Sequence, residues 1–388
     1  MQILQKKTEV GSEKKVEYLE LIYDLIFVYI IGRNNQLLQY IENGFIRSAT
    51  FYSYILCALA IIQIWNFSTF YINMFGRNSL RDHLSLFVNM YLLYYIGEGT
   101  RVHWESFQNQ YHTAWALILI NIGVQYCIEY RHHLDNEDEK KTIRHMAFVL
   151  FGEALLVLAA IPIYNQTGIQ TAGAAIAYGL IMNRIFADDA KACMIDFPHL
   201  TERAMLYVVF TFGEMIITVA AYFQGELTWN SVYFSLMCFL IVVGLFLSYE
   251  VLYDRIIDRE KMTTGVNYMM IHLFLIFSMN LITTSLSFMR KEAVSVDAKM
   301  IMILLSFLMF FLCLFALQLY AKPELCLHRT FMLPIIGVSA VFAAAMWFLR
   351  NNMRVNILLS VIYVFVVFYM IFRFSRSHDC DCGKEHIH

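Results

Sequence analysis

Charged residues are scarce in this sequence. Asp, Glu, Lys and Arg make up only 15% of the 388 residues, whereas soluble globular domains contain about a quarter. The formal net charge is −2, so no strong field of either sign favours nucleic acid. Hydrophobic residues reach 59%, and the mean hydropathy is +0.54. The sequence therefore predicts an integral membrane protein that has the lipid bilayer as its partner, and no nucleic-acid partner.

Proline is rare in this sequence, and disulfide-type cysteine patterns and catalytic motifs are absent from it. Four prolines argue against a linker-rich chain, and the eight cysteines are scattered, several of them within apolar runs, which argues against a disulfide framework. The first 15 residues are polar and show no signal-peptide pattern. The sequence contains no G-x-x-x-x-G-K-[ST], G-x-S-x-G, H-E-x-x-H or G-x-G-x-x-G motif. We therefore predict no catalytic residue, no metal site and no cofactor.

Long continuous apolar segments dominate what is present. About 20 mostly apolar residues cross the hydrocarbon core as a helix, whereas a β-barrel would show short alternating segments. The sequence predicts an all-α, polytopic transmembrane helix bundle of about twelve spans. These are 17–32, 48–75, 82–98, 112–130, 145–164, 168–187, 203–223, 230–252, 264–287, 300–320, 330–349 and 355–374.

The distribution of Lys and Arg orients this bundle. With twelve spans, 21 of the 29 basic residues lie in the termini and in the loops after even-numbered spans. Cytoplasmic loops carry the excess of Lys and Arg, so both termini are predicted to face the cytoplasm. We expect a multi-pass protein of the cytoplasmic (inner) membrane.

The chain is predicted to form one domain with two polar ends. Residues 1–16 form a cytoplasmic segment, residues 17–374 a single transmembrane domain, and residues 375–388 a cytoplasmic tail that contains Cys and His. The C-x-C spacing in the tail is tighter than the usual C-x₂₋₄-C of zinc sites, so we interpret the tail as disordered. The largest polar loop, 131–145, is interpreted as a solvated connection.

Two predicted spans carry a carboxylate near their centres. His145–Ala160 (HMAFVLFGEALLVLAA) aligns without gaps to Leu206–Ala221 (LYVVFTFGEMIITVAA), which places Glu153 and Glu214 at equivalent positions. A carboxylate that deep must face a partner or a cavity, or hold a proton. We predict that both bind a proton or cation; static hydrogen bonding is the alternative. The preceding glycines are expected to allow a neighbouring backbone to approach.

A second polar group lies nearer the predicted cytoplasmic boundary. Glu20 and Asp24 are four residues apart, so they share one face of the first span. We predict a polar cluster or gate that joins this span to the second and seventh spans. Its members are Glu20, Asp24, Glu202, Arg203, Arg77, Trp65 and Asn66. The alternative is a structural ion pair that fixes the first helix in the bundle.

Some of these residues resemble a known family. Residues 19–28 (LELIYDLIFV) resemble the L-E-L-F-F-D-L-V-F-V signature of bacterial low-temperature-requirement A proteins, with Tyr23 in place of Phe. Residues 199–203 (HLTER) and 212–214 (FGE) are similar to that family's H-L-x-E-R and L-G-E-S elements, with Met215 in place of Ser. The resemblance implies a polytopic inner-membrane protein and carries no reaction or substrate.

Three functions fit these observations. The first is a proton- or cation-coupled secondary transporter of an unknown small molecule or ion, in which Glu153 and Glu214 couple. The second is a membrane-embedded enzyme that acts on a lipid or polyprenyl substrate. The third is a non-catalytic structural component or sensor, in which buried ion pairs fix the packing. The sequence defines neither the substrate nor the oligomeric state.

Overall fold

The computed structural model describes residues 15–39, 41–99, 104–132, 136–188, 195–220, 227–325 and 329–382. Within these ranges the chain forms twelve α-helices joined by short connections. In chain order they are α1 (Tyr18–Asn35), α2 (Ser48–Phe75), α3 (Leu80–Gly99), α4 (Trp104–His132), α5 (Glu137–Thr167), α6 (Gly173–Ile185), α7 (Phe197–Ala220), α8 (Trp229–Val251), α9 (Val266–Phe288), α10 (Val296–Ala316), α11 (Arg329–Phe348) and α12 (Met353–Cys382). Each corresponds to one predicted apolar segment.

Eight of the described helices are long and apolar enough to cross a membrane. They are α2, α5 and α7 to α12, with α8 and α10 each extended by one irregular turn. Helices α1, α3, α4 and α6 fall outside this set; α6 has only 13 residues. The helical, membrane-spanning class is therefore confirmed, while the count of twelve spans and the sides of the termini stay predictions.

The helices fall into two compact units. The first contains residues 1–37, 48–207 and 259–273, and the second contains residues 38–47, 208–258 and 274–388. In the first unit, α4 packs along α5, and α1 contacts both α2 and α3. In the second unit, α12 packs against α8 and α11. The prediction of a single transmembrane domain stays a prediction.

Helix α2 forms the interior of the first unit. In its most apolar 18-residue window, 89% of the residues are buried. This explains the polar side chains along it, because a buried helix can place hydrogen-bonding groups against neighbouring helices instead of lipid. The polar positions of α2 are accordingly where the candidate site lies.

The polar connection at 131–145 is shorter than predicted. Helix α5 begins at Glu137, so most of this stretch is helical. The Asn136 side chain caps the helix by accepting hydrogen bonds from the backbone N–H groups of Asp138 at 3.1 Å and Glu139 at 3.3 Å. Three acidic residues in the first turn further stabilise the helix, because their negative charges interact favourably with the positive end of the helix dipole.

A small β-hairpin departs from the all-α prediction. Ile41–Glu42 pairs antiparallel with Phe45–Ile46. The turn residues Asn43 and Gly44 have φ angles of 52° and 83°, which is the backbone of a tight hairpin turn that Asn-Gly favours. The sequence ENGF contains this signal, although no hairpin was predicted there.

The two chain ends lie partly outside the described residues. Residues 1–14, which are most of the predicted N-terminal segment, and residues 383–388 of the tail are outside the described ranges. Helix α12 continues to Cys382, because its sequence contains neither Gly nor Pro up to that point. The side chains of the tail histidines and cysteines lie outside those that the structure describes. These are His378, Cys380, Cys382, His386 and His388.

Candidate functional site

A buried ion-pair cluster joins α1 to α7 in the first unit. Glu20 and Asp24 face Arg203, whose side chain is fully buried. The Arg203 Nη2 atom lies 2.5 Å from Oδ1 of Asp24, and its Nη1 atom lies 3.2 Å from Oε2 of Glu20. Two carboxylates therefore share one guanidinium group. The structure brings these three predicted site residues together.

Trp65 closes the cluster from α2. Its indole Nε1–H donates a hydrogen bond of 2.8 Å to the same Oδ1 atom of Asp24. The indole ring packs against Tyr207 on α7, with ring centroids 4.4 Å apart. Asp24 thus accepts two hydrogen bonds on one oxygen, and its other oxygen, Oδ2, has no hydrogen-bond partner among the described residues.

His199 extends the cluster on the Arg203 side of α7. Its Nε2 atom lies 3.4 Å from Oε2 of Glu20. The Asn73 side chain lies 3.1 Å from His199 Nδ1 and also makes two bonds to the backbone of Asp196, donating to its carbonyl and accepting from its N–H. The N–H acceptance fixes the orientation of the Asn73 amide, so its Nδ2 donates to Nδ1. The histidine proton then lies on Nε2, facing Glu20.

Three predicted members of the cluster do not join it: Glu202, Asn66 and Arg77. Glu202 forms no hydrogen bond or ion pair with any described residue. One residue step rotates a helix by about 100°, so Glu202 points away from the face that carries Arg203. Asn66 is buried on α2, but no hydrogen bond joins it to a described residue.

Arg77 belongs to a second charged cluster where α2 ends and α3 begins. It lies 3.5 Å from Glu129 of α4, and its side chain is 60% exposed while that of Glu129 is 1% exposed. Arg81 pairs with both Glu129 and Asp82 and donates to the hydroxyl of Tyr71 at 3.2 Å. Asp82 in turn accepts the backbone N–H of Arg77 at 3.1 Å.

Glu153 lies at a different place in the first unit, between α5, α2 and α6. It is completely buried. Its Oε2 atom accepts a hydrogen bond of 3.2 Å from the Gln63 amide, and no Lys, Arg or His of the described residues pairs with it. Gly179 of α6 makes this arrangement fit, because a Cβ atom there would collide with both Glu153 and Gln63.

Glu214 lies on the part of α7 that belongs to the second unit. It is partly exposed, and the Thr218 hydroxyl donates a hydrogen bond of 3.3 Å to it. No described cationic side chain pairs with it. The expectation that the preceding glycines allow a neighbouring backbone to approach is wrong at both sites. A Cβ atom at Gly152 would collide with the Tyr178 side chain, and one at Gly213 would meet no described atom within 4 Å.

The carboxylates in the helices are therefore of two kinds. Glu20 and Asp24 have an arginine partner, whereas Glu153 and Glu214 have only uncharged partners among the described residues. The first kind can hold helices together and set a local charge, and the second kind can take up and release a proton. No group of three or more described His, Cys, Asp or Glu residues could hold a metal ion.

Sequence reasoning missed several polar partners of these sites. Gln63 and Asn73 are polar residues of α2 and His199 belongs to the HLTER element, but none of the three was predicted as a site residue. Glu129 was missed altogether, although a carboxylate at the end of an apolar span is a usable signal. The i, i+4 spacing of His199 and Arg203 would have placed the histidine on the same face.

Residues 15–374 match the family model described as "Bacterial low temperature requirement A protein (LtrA)". The match covers nearly the whole chain and includes both charged clusters, Glu153 and Glu214. No curated protein and no solved structure matches the chain significantly.

Proposed function

This chain belongs to the bacterial low-temperature-requirement A family and is a multi-pass membrane protein, and from that premise we propose that it is a proton-coupled secondary transporter of the inner membrane. The observation that carries the proposal is Glu153, a fully buried carboxyl group with one amide partner. The partners of the protein would be the lipid bilayer and a small-molecule substrate.

The surroundings of Glu153 suit a proton better than a fixed charge. An ionised carboxylate at the bilayer centre costs about 2.5–3.5 kcal/mol on insertion scales. Gln63 supplies one hydrogen bond and no charge, so it offsets only part of this cost. The carboxyl group is then most stable when it holds a proton, and it releases that proton when water or a cation reaches it.

A metal cation is a poorer ligand for this site. Hard cations take six or more oxygen ligands, whereas the described hydrogen-bonding groups here are the Glu153 carboxyl, the Gln63 amide and the Ile176 carbonyl that accepts from this amide at 3.3 Å. The carbonyl oxygen of Gln63 has no partner among the described residues, and it can accept the proton of a neutral Glu153 carboxyl group. The pair can therefore hold one proton between them.

Glu214 is proposed as a second proton-binding group. It is more exposed than Glu153, and the Thr218 hydroxyl stabilises its ionised form. We propose that Glu214 is the group that exchanges protons with solvent, whereas Glu153 holds a proton during a conformational change.

Infrared spectroscopy tests whether Glu153 binds a proton. Difference spectra of the reconstituted protein between acidic and alkaline pH should contain a carboxylic C=O band, and Glu153→Gln should remove it. The variant should keep the thermal stability of the parent, because glutamine retains both the size and the Gln63 contact. An unchanged band in a folded Glu153→Gln protein would remove this residue from the mechanism.

Proteoliposomes test the coupling itself. A panel of amines, amino acids, carboxylates and sugars is added outside vesicles that contain a pH-sensitive dye, with protein-free liposomes as the control for passive diffusion. A compound that changes the internal pH only in the presence of protein should lose this effect in Glu153→Gln. Glu137→Gln, an exposed residue on the same helix, is the matched control and should retain it.

A further inference from the structure

A cavity of about 350 Å³ opens beside the Arg203 cluster, entirely within the first unit. It lies where α1 and α3 begin and α2 ends, and α4 contributes Gln125 to its wall. Its volume is within the range of small-molecule sites in proteins, about 300–1,000 Å³. Glu20 lines it, so the buried ion-pair cluster and the cavity share one carboxylate.

Two buried hydrogen-bond acceptors line this cavity. Glu20 is 4% exposed and presents its carboxylate there, with Arg203 and His199 behind it. Gln125 is 5% exposed, and its amide nitrogen donates to the Asn121 carbonyl at 3.4 Å. Its carbonyl oxygen has no partner among the described residues. A ligand that matches these groups must therefore donate hydrogen bonds.

The charges around the cavity favour a cation. With the histidines neutral, the charged residues that line the cavity are three carboxylates and one guanidinium group, a formal charge of −2; they are Glu17, Glu20, Asp82 and Arg77. The groups that pair with these residues are two guanidinium groups and one carboxylate, which leaves a formal charge of −1; they are Arg81, Arg203 and Glu129. Charges interact more strongly in a protein interior than in water, so this excess attracts positive ligands.

Arg77 does not turn the cavity into an anion site. It is the one guanidinium group that lines the cavity among the described residues. Its side chain is 60% exposed, and it shares the Glu129 carboxylate, 3.5 Å away, with Arg81. An anion at the inner end would face Glu20 directly. The inner end therefore selects against negative charge.

The cavity lining also contains apolar side chains, in addition to Gly76, Asn78 and His83. Leu19, Ile72 and Leu86 line the cavity, and the Tyr71 ring, buried and held by its hydroxyl, lies among them. This apolar surface offers no ligand atoms to an inorganic cation. The hydrocarbon group of an organic ligand, by contrast, would pack against the surface and bury it from water. We infer that the cavity binds a small organic cation, with its ammonium group at Glu20 and Gln125 and its hydrocarbon part against these side chains.

Binding of an organic cation in this cavity does not depend on transport activity. The further step, that the bound cation is the transported substrate, rests on the proposed function. Binding is measured by isothermal titration calorimetry on the full chain in lipid nanodiscs, with empty nanodiscs as the blank. The ligands are butylammonium, butyrate and butanol, which share one hydrocarbon chain and differ in charge. Butylammonium should bind saturably and the other two should not.

Glu20→Gln should weaken butylammonium binding by at least about tenfold, and Leu86→Phe, which fills the cavity without a change of charge, should also weaken it. The exposed Glu137→Gln protein should bind like the parent. Equal binding of butyrate, or unchanged butylammonium binding in both cavity variants, would overturn the inference. The Glu153 infrared band does not depend on this ligand, so failure of the cavity assignment is distinguishable from failure of proton coupling.

Discussion

The Arg203 Nη2 atom lies 2.5 Å from Oδ1 of Asp24, across 179 positions of sequence and with both side chains fully buried. This contact joins the first helix of the first unit to the start of α7. Glu20 and Trp65 add one contact each, so a single guanidinium group and a single carboxylate organise three helices.

Removal of the guanidinium group should destabilise the protein strongly. In Arg203→Met, Glu20 and Asp24 would remain buried without their cation, and a broken buried pair costs about 3–5 kcal/mol. Chemical unfolding of the detergent-solubilised protein measures the change in the free energy of unfolding. Glu202→Gln is the control at the neighbouring position and should change it little, because Glu202 pairs with no described residue. Equal effects of both variants would contradict the ion-pair assignment.

Trp65→Phe should lower stability more than Trp115→Phe. Both indoles are fully buried in the first unit. The Trp65 Nε1–H donates to Asp24, whereas the Trp115 Nε1–H has no partner among the described residues. Loss of a hydrogen bond to a charged group costs about 1.5–3 kcal/mol, and removal of an unsatisfied donor costs little. Thermal unfolding of the two variants gives the comparison, and the reverse order would refute it.

Two glycine-to-alanine changes should have opposite effects. In Gly179→Ala the new Cβ would collide with Glu153 and Gln63, so stability should fall. In Gly213→Ala the new Cβ meets no described atom within 4 Å, and alanine favours a helix by about 0.5–1 kcal/mol over glycine. The midpoints of thermal denaturation should therefore move in opposite directions. A stabilised Gly179→Ala protein would show that α6 packs differently.

Asn73 should control the tautomer of His199. Nitrogen NMR of protein labelled at histidine should show a His199 signal with the proton on Nε2, because Asn73 donates to Nδ1. Asn73→Leu removes this donor and two bonds to the Asp196 backbone, so the His199 signal should change and the amides near Asp196 should exchange faster. His83, whose Nδ1 contacts the Ser79 carbonyl at 2.8 Å, provides the reference signal that should stay constant.

Much of the helical architecture was predictable because membrane-spanning helices can be recognised in a sequence by their length and hydropathy. The pairing of Glu20 and Asp24 on one face followed from their spacing of four. The same rule would have added His199 to Arg203, and it explains why the adjacent Glu202 does not join. Asn66 shows the limit of this reasoning, since burial on α2 did not give it a described hydrogen-bond partner.

Other contacts could not be predicted from local patterns. Glu129 and Arg81 are 48 positions apart, and Gln63 and Glu153 are 90 apart. Each pair is in contact only because the two helices pack with a particular axial offset and a particular rotation about their axes, which brings the two side chains to face each other. The Asn43-Gly44 turn is different, since its local signal is present in the sequence although no hairpin was predicted there.

The sequence alone determined that this chain spans a membrane and that several carboxylates must lie inside it, because hydropathy and the cost of burying charge depend only on residue type and position along a helix. Only the tertiary structure decided which of these carboxylates pair with a cationic side chain. Ion pairing requires atoms to approach within about 4 Å, and that distance is set by how helices far apart in sequence pack together.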